Sequence, residues 1–143
     1  MRWVTRERPK TDRIACPWLI RRFIDPDAEF LYVPPEQVLE VARREHARSF
    51  DAADAEFTHR DGMCTFEVLL EDFQLQGDQA LVRLARIVHA ADVAEDRDAD
   101  RFGGCLEAIG VGGLAAEPDD QRLLNRGEFV YDALYAWCQG RVG

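Results

Sequence analysis

Apolar and polar positions change their period along the chain, and each change marks an element. Trp3-Val4-Thr5 predicts a strand, and the polar stretch up to Asp12 predicts a loop. Cys16-Pro17-Trp18-Leu19-Ile20-Arg21-Arg22-Phe23 predicts a short helix with proline at its first position and Cys16 at the N-cap. Arg21 and Arg22 then fall in its last turn, where the helix dipole favours cations. Asp25-Pro26-Asp27 breaks that helix. Glu29-Phe30-Leu31-Tyr32-Val33 predicts a strand ended by Pro34-Pro35, and Pro35 opens a helix to about Ala47 with Val38, Val41 and Ala42 inward.

Ser49-Phe50-Asp51 and Glu56-Phe57-Thr58-His59 predict two short strands, and alternation puts Phe57 and His59 on one face. Arg60-Asp61-Gly62 is a turn. A helix from about Thr65 carries Phe66, Leu69, Leu70 and Phe73 as its apolar stripe. Gly77-Asp78 caps a longer helix to about Val93, with Leu81, Leu84, Ala85, Val88 and Ala91 inward. After a charged loop at 94–101, a short helix carries Phe102, Cys105, Leu106 and Ile109, and Gly110-Val111-Gly112-Gly113 is expected to end it. Asp119 or Asp120 caps the last helix, whose expected face is Leu123, Val130, Leu134 and Trp137, with Asp132 turned to solvent. The sum is one helix-dominated α+β domain over residues 1–143 with a small β-sheet, and no repeat or linker.

Length and composition agree with that reading. A chain of 143 residues and 16.3 kDa, 47 % apolar, can bury a core without disulfides or a structural metal. No apolar run approaches the roughly 18 residues of a membrane span, and the N-terminus has no apolar leader segment, so a cytoplasmic chain with no membrane partner is expected. The cysteines, Cys16, Cys64, Cys105 and Cys138, form no C-x-x-C pair and are expected as free thiols.

Charge adds more. The net charge of −9 argues against non-specific nucleic-acid binding. Residues 1–22 nevertheless carry seven basic groups against Glu7 and Asp12, a net of +5, which leaves −14 on the remainder. A basic segment on an acidic body reads as an anion site, a docking arm or an internal latch, and it also makes a homodimer an expected partner state.

The segment Pro9-Lys10-Thr11-Asp12-Arg13-Ile14-Ala15-Cys16-Pro17-Trp18-Leu19-Ile20-Arg21-Arg22-Phe23-Ile24-Asp25-Pro26 resembles the signature of the chromate-resistance ChrB family. Glu29-Phe30-Leu31-Tyr32-Val33-Pro34, the segment His59 to Cys64-Thr65-Phe66-Glu67, and Tyr131-Asp132-Ala133-Leu134-Tyr135-Ala136-Trp137 are similar to it in order and spacing. The resemblance covers nearly the whole chain and is to the C-terminal domain of that family. Longer members carry a further N-terminal region and resemble chromate-responsive regulators of an efflux operon. The resemblance implies a role in chromate resistance, as sensor or accessory protein.

Two constellations can carry chemistry. A small inorganic oxyanion such as chromate needs N–H donors and positive charge, which Lys10, Arg13, Arg21, Arg22 and the amides following Pro17 can supply. Cys16 at that helix start would have a lowered pKa, and its thiolate could reduce a bound oxidising anion. The competing reading buries Cys16 and pairs Arg13 with Asp12 or another acidic group. The second constellation is His59, Glu67 and Asp92. Asp92 stands on the apolar face of its helix, and a buried carboxylate must be paired, hydrogen-bonded or metal-bound. One histidine and two carboxylates suit a single iron, manganese or zinc ion, with Cys16 or Cys64 near the reacting ligand and His89 able to join. This alternative makes the chain a metal-dependent enzyme for oxyanion or reactive-oxygen detoxification. The competing reading makes Asp92 a cap or an arginine partner and His59 a sheet-edge donor. Asp96, Asp98, Asp100 and Glu107 have calcium-loop spacing, but Arg101 stands where that loop needs glycine, so a solvated acidic loop is expected.

Overall fold

The computed structural model describes residues 1–141. Three parallel strands lie in the order β2-β1-β3: β1 is Arg2–Arg6, β2 is Glu29–Val33 and β3 is Arg48–Ser49. The central strand is covered on both faces, which its apolar run requires. Trp3 packs into the main core with Phe30 and Phe50, while Val4 meets Val38, Val41 and Ala52 on the other face. Two of those residues come from α2 (Val38–Arg44), which a single 3-10 turn at Pro35–Gln37 opens. The architecture is α+β, as the patterning predicts.

The first crossover departs from expectation. Helix α1 runs Asp12–Leu19 with Pro17 in its interior, and a π-turn continues it through Ile20–Ile24. Proline removes the amide that would bond the carbonyl of Arg13. The hydroxyl of Tyr32, on β2, donates to that carbonyl instead, at 3.2 Å. The start of the helix is therefore Asp12, and Cys16 lies a turn inside it, fully buried.

Helix α3 (Thr65–Asp72) and helix α4 (Gln79–Asp92) form as predicted, α4 capped by Asp78 through Leu81 N at 3.1 Å. The segment before α3 is not a hairpin of strands. Phe57 makes one isolated bridge to Phe50, and His59 lies in irregular backbone, so strand alternation does not orient it.

Helix α5 (Gly103–Ala116) runs straight through the glycines expected to end it. Close approach explains Gly110 and Gly113, and also Gly103 at the helix start, while Gly112 faces open space. A Cβ on Gly103 would stand 2.7 Å from Ala90 Cβ and from the Arg97 carbonyl, and one on Gly110 would stand 3.1 Å from Thr11 Oγ1. Tertiary packing thus overrides a propensity penalty of about 1 kcal/mol per glycine. Helix α6 (Asp120–Gln139) is capped by Asp119 and buries Leu124, Tyr131, Tyr135 and Cys138. The expected face is rotated: Val130, Leu134 and Trp137 are only partly buried. Asp132 is engaged as well, accepting the Trp18 indole N–H at 2.8 Å.

Candidate functional site

The N-terminus of α1, the N-terminus of α3 and the C-terminus of α4 bring four charged groups together. Asp12, the first residue of α1, is fully buried. Its carboxylate accepts the amides of Thr65 at 2.8 Å and Phe66 at 3.0 Å, and the thiol of Cys16 at 3.3 Å. It thus caps α3 from another helix, satisfying amides that have no intrahelical partner. Asp51, at φ +48°, accepts the Thr65 hydroxyl at 2.8 Å and faces Arg6 at 3.3 Å and Arg13 at 3.6 Å. Asp92 closes α4.

All three carboxylates converge on one atom. Nε2 of His59 lies 3.0 Å from Asp92, 3.4 Å from Asp51 and 3.5 Å from Asp12. The imidazole is 46 % exposed, so the group opens to solvent on its side.

The electrostatics follow from burial and crowding. Hydrogen bonds to Asp12 and Asp51 outweigh desolvation and raise the His59 pKa to about 10. Burial, then the neighbouring charges of Asp12 and Asp51, push Asp92 up to about 7. Burial also raises Asp12. Burial pushes Asp51 in the same direction, but the hydrogen bonds from His59 and Thr65 and the charge of Arg6 hold it below its ordinary value. The metal-free group is thus an imidazolium held by a partly protonated carboxylate cluster. A metal ion can take the proton's place, because neutral imidazole and carboxylates are its ligands.

The structure joins His59 and Asp92 but places Glu67 elsewhere. Glu67 sits at the third position of α3 and accepts the Cys64 amide at 2.9 Å, as a helix cap. It meets Nδ1 of His89 at 2.5 Å, and the other ring nitrogen of His89 meets Asp96 at 2.6 Å. His89 is therefore not part of the His59 group. Cys64, Glu67 and His89 form a second, adjacent set of ligand-type atoms within 4.8 Å of one another. Asp12 takes the position beside His59 and Asp92 that Glu67 was expected to hold.

The basic residues are mostly engaged within the chain. Arg13 faces Asp51 and donates to the carbonyls of Arg6 and Glu7, at 3.3 and 2.9 Å. Arg21 pairs with Glu128 at 2.5 Å, and Arg22 pairs with Asp132. Arg8 binds Asp120 at 2.8 Å. The N-terminal segment is an internal latch onto the acidic body. Lys10 forms no ion pair among the described residues, and its charge, after that of His59, offsets part of the rise at Asp92. No helix starts at Pro17, so the amides expected there as anion donors are inside α1.

The thiols are also corrected. Burial, reinforced by Asp12 and Asp51, raises the Cys16 pKa well above its ordinary value, and burial and Asp12 raise Cys64. The expected lowering at Cys16 required a helix N-terminus that lies a full turn away. The calcium-type spacing forms no loop: Asp100 pairs with Arg83 at 2.5 Å and Asp96 with His89.

Sequence reasoning missed Asp12 and Asp51 as members of the group. Asp12 carried one signal, its place four residues before Cys16 on the face that also holds Ala15 and Leu19. Asp51, directly after the buried Phe50, carried none that separated it from a turn residue.

A model of the family described as ChrB, C-terminal domain, matches residues 3–138. Protein ChrB of Cupriavidus metallidurans is 41 % identical over 133 residues, 93 % of this chain and 39 % of that protein. The chain therefore spans about two fifths of the length of that relative. No solved structure matches the chain.

Proposed function

The chain belongs to the family of the ChrB C-terminal domain, and from that premise we propose that it serves chromate resistance as a metal-binding domain. The metal ligands in this reading are His59, Asp92 and Asp12, with Asp51 beside them. One observation carries it. Three carboxylates, from the start of α1, the end of α4 and the irregular segment after β3, stand 3.0–3.5 Å from one imidazole nitrogen. Ligand atoms each about 2.1 Å from a shared ion lie roughly 3–3.5 Å from one another in octahedral or tetrahedral geometry. The donor set is one nitrogen and several carboxylate oxygens, which suits manganese or iron(II) and admits zinc. The half-exposed His59 leaves an approach from solvent for an exogenous ligand.

Lys10 supports an oxyanion as that exogenous ligand. Its ammonium acts on Asp92 and has no ion-pair partner among the described residues. In this reading the carboxylates offset the charge of a divalent ion, so the ion offers a dianion such as chromate a coordination position and Lys10 offers it a positive charge. This differs from an arginine–cysteine pocket, whose members are paired or buried.

The test is titration of chelator-stripped protein with Mn²⁺, followed by calorimetry and elemental analysis. One ion per chain is expected, lost in His59→Ala and Asp92→Asn and retained in Glu67→Gln. Chromate should bind the metal-loaded chain and bind more weakly in Lys10→Met. Unchanged stoichiometry in both His59→Ala and Asp92→Asn overturns the reading. Loss in Glu67→Gln alone moves the metal to the Cys64–His89 group.

A further inference from the structure

The residue before Asp12 faces a different space. A cavity of about 180 Å³ lies between the Pro9–Ile14 segment, α5 and α6, and none of Asp12, His59 and Asp92 lines it. Its walls include Ile14, Leu106 and Tyr131, and glycines at 110, 113 and 127. At each of those glycines another side chain comes up against the helix backbone: Thr11 at Gly110, Leu123 at Gly113 and Ile14 at Gly127.

Two polar groups belong to this cavity. The first is Thr11, which is 2 % exposed and whose Oγ1 has no hydrogen-bond partner among the described residues. Buried hydroxyls are almost always bonded, so an unpaired one calls for a partner from outside the chain. The hydroxyl faces Gly110, another lining residue, since a Cβ there would lie 3.1 Å from it. Thr11 also holds a backbone conformation of φ +49°, ψ −106°, which a β-branched residue avoids. Its carbonyl is pinned by the amides of Ile14 and Ala15, at 3.0 and 2.7 Å, and by the Tyr131 hydroxyl at 3.2 Å. Strain held in place by several contacts is a mark of a functional position. The second polar group is Lys10, the lining cation without an ion-pair partner among the described residues. Arg126, the other lining cation, is paired with Glu117 at 3.2 Å.

We propose that this cavity binds a small organic monocarboxylate with a compact apolar body of about one ring. The carboxylate accepts from the Thr11 hydroxyl and pairs with Lys10, and the body packs on Ile14, Leu106 and Tyr131. Size agrees, since an apolar cavity of about 150 Å³ takes up benzene. Chemistry agrees too: apolar walls with a few convergent polar groups are the usual make-up of a small-molecule site. The inference shares Lys10 with the oxyanion reading but uses none of the proposed metal ligands, so Thr11→Val and His59→Ala tell the two apart.

The probe is benzoate, titrated into the metal-free full chain and followed by amide chemical shifts and calorimetry. One saturable site is expected, with the largest shifts at Thr11, Ile14, Gly110 and Gly127. Thr11→Val keeps the shape and removes the hydroxyl, so it should weaken benzoate roughly tenfold while the ligand-free chain melts no lower than the parent. Thr11→Ser should retain the affinity, and Lys10→Met should lose it to a similar extent as Thr11→Val. His59→Ala should leave benzoate binding unchanged. Toluene, of the same shape without charge, should bind more weakly. The proposal is overturned by any of four results: no saturable binding, equal affinity in Thr11→Val, equal binding of toluene, or shifts centred on His59 and Asp92.

Discussion

Replacing Asp92 by asparagine removes one negative charge from a group that holds three carboxylates around His59. In the metal-free chain that should stabilise the fold. Asp92 has its pKa raised from 3.8 to about 7 by burial and by Asp12 and Asp51. Between those two values the folded chain retains a proton that the unfolded chain has released. Parent stability therefore falls as pH rises through that window and levels off above it. A shift of this size corresponds to at most about 4 kcal/mol. The side chain is 20 % exposed and His59 attracts the ionised form, so about 1–2 kcal/mol is expected for Asp92→Asn above pH 7, or a melting shift of roughly 3–8 °C. The advantage should shrink as pH falls and vanish near pH 4. Saturating Mn²⁺ should reverse the order. At a hundredfold excess over Kd the parent gains about 2.7 kcal/mol by mass action, and the variant gains nothing. The assay is thermal unfolding of both proteins from pH 4 to 8, in chelator and in Mn²⁺. An asparagine variant that is less stable than the parent at every pH in chelator refutes the reasoning, because Asp92 would then be an ordinary structural acceptor.

Asp12→Asn should act in the opposite way, with a loss of about 3–5 kcal/mol in urea unfolding of the metal-free chain. It leaves at least one of the Thr65 and Phe66 amides facing a donor in a fully buried place. The His59 ring protons should titrate near pH 10 by NMR in chelator, far above the ordinary histidine value of about 6.5, and a midpoint near the ordinary value would remove the carboxylate cage from the argument. That interaction contributes stability in full below the unfolded value and is lost as pH rises through about 10. An aromatic disulfide reagent should label Cys105 rapidly in the native chain and Cys16, Cys64 and Cys138 only on unfolding, because those three are buried. Gly103→Ala should lower stability by about 1–3 kcal/mol through its clash with Ala90 and the Arg97 carbonyl. Gly104→Ala, next to it and in open space, should raise stability by about 0.4–1 kcal/mol in the same melting series.

Local periodicity was enough to locate most elements. The strand at Glu29–Val33, the stripe of α3, the Asp78 cap of α4 and the Asp119 cap of α6 each depend on residues within a turn of one another, so neighbours in sequence carry the signal. The sequence also singled out Asp92, since a charge on an apolar helical face is anomalous whatever packs against it, and His59 as its candidate partner. Three outcomes needed the tertiary structure. Pro17 reads as a helix start because proline is usually found there, but the Tyr32 hydroxyl from β2 replaces the bond that proline forfeits, and α1 begins at Asp12. Gly110 and Gly113 read as a stop because glycine disfavours helices, yet Thr11 and Leu123 pack closely against them inside a continuous helix. Asp12 and Asp51 reach His59 from 47 and 8 residues away along the chain, through a crossover and an irregular segment with no period. Sequence pattern therefore determined which stretches became helices and strands and that a carboxylate was out of place. Long-range packing decided which charges meet, because the free energy of a buried charge depends on its neighbours in space.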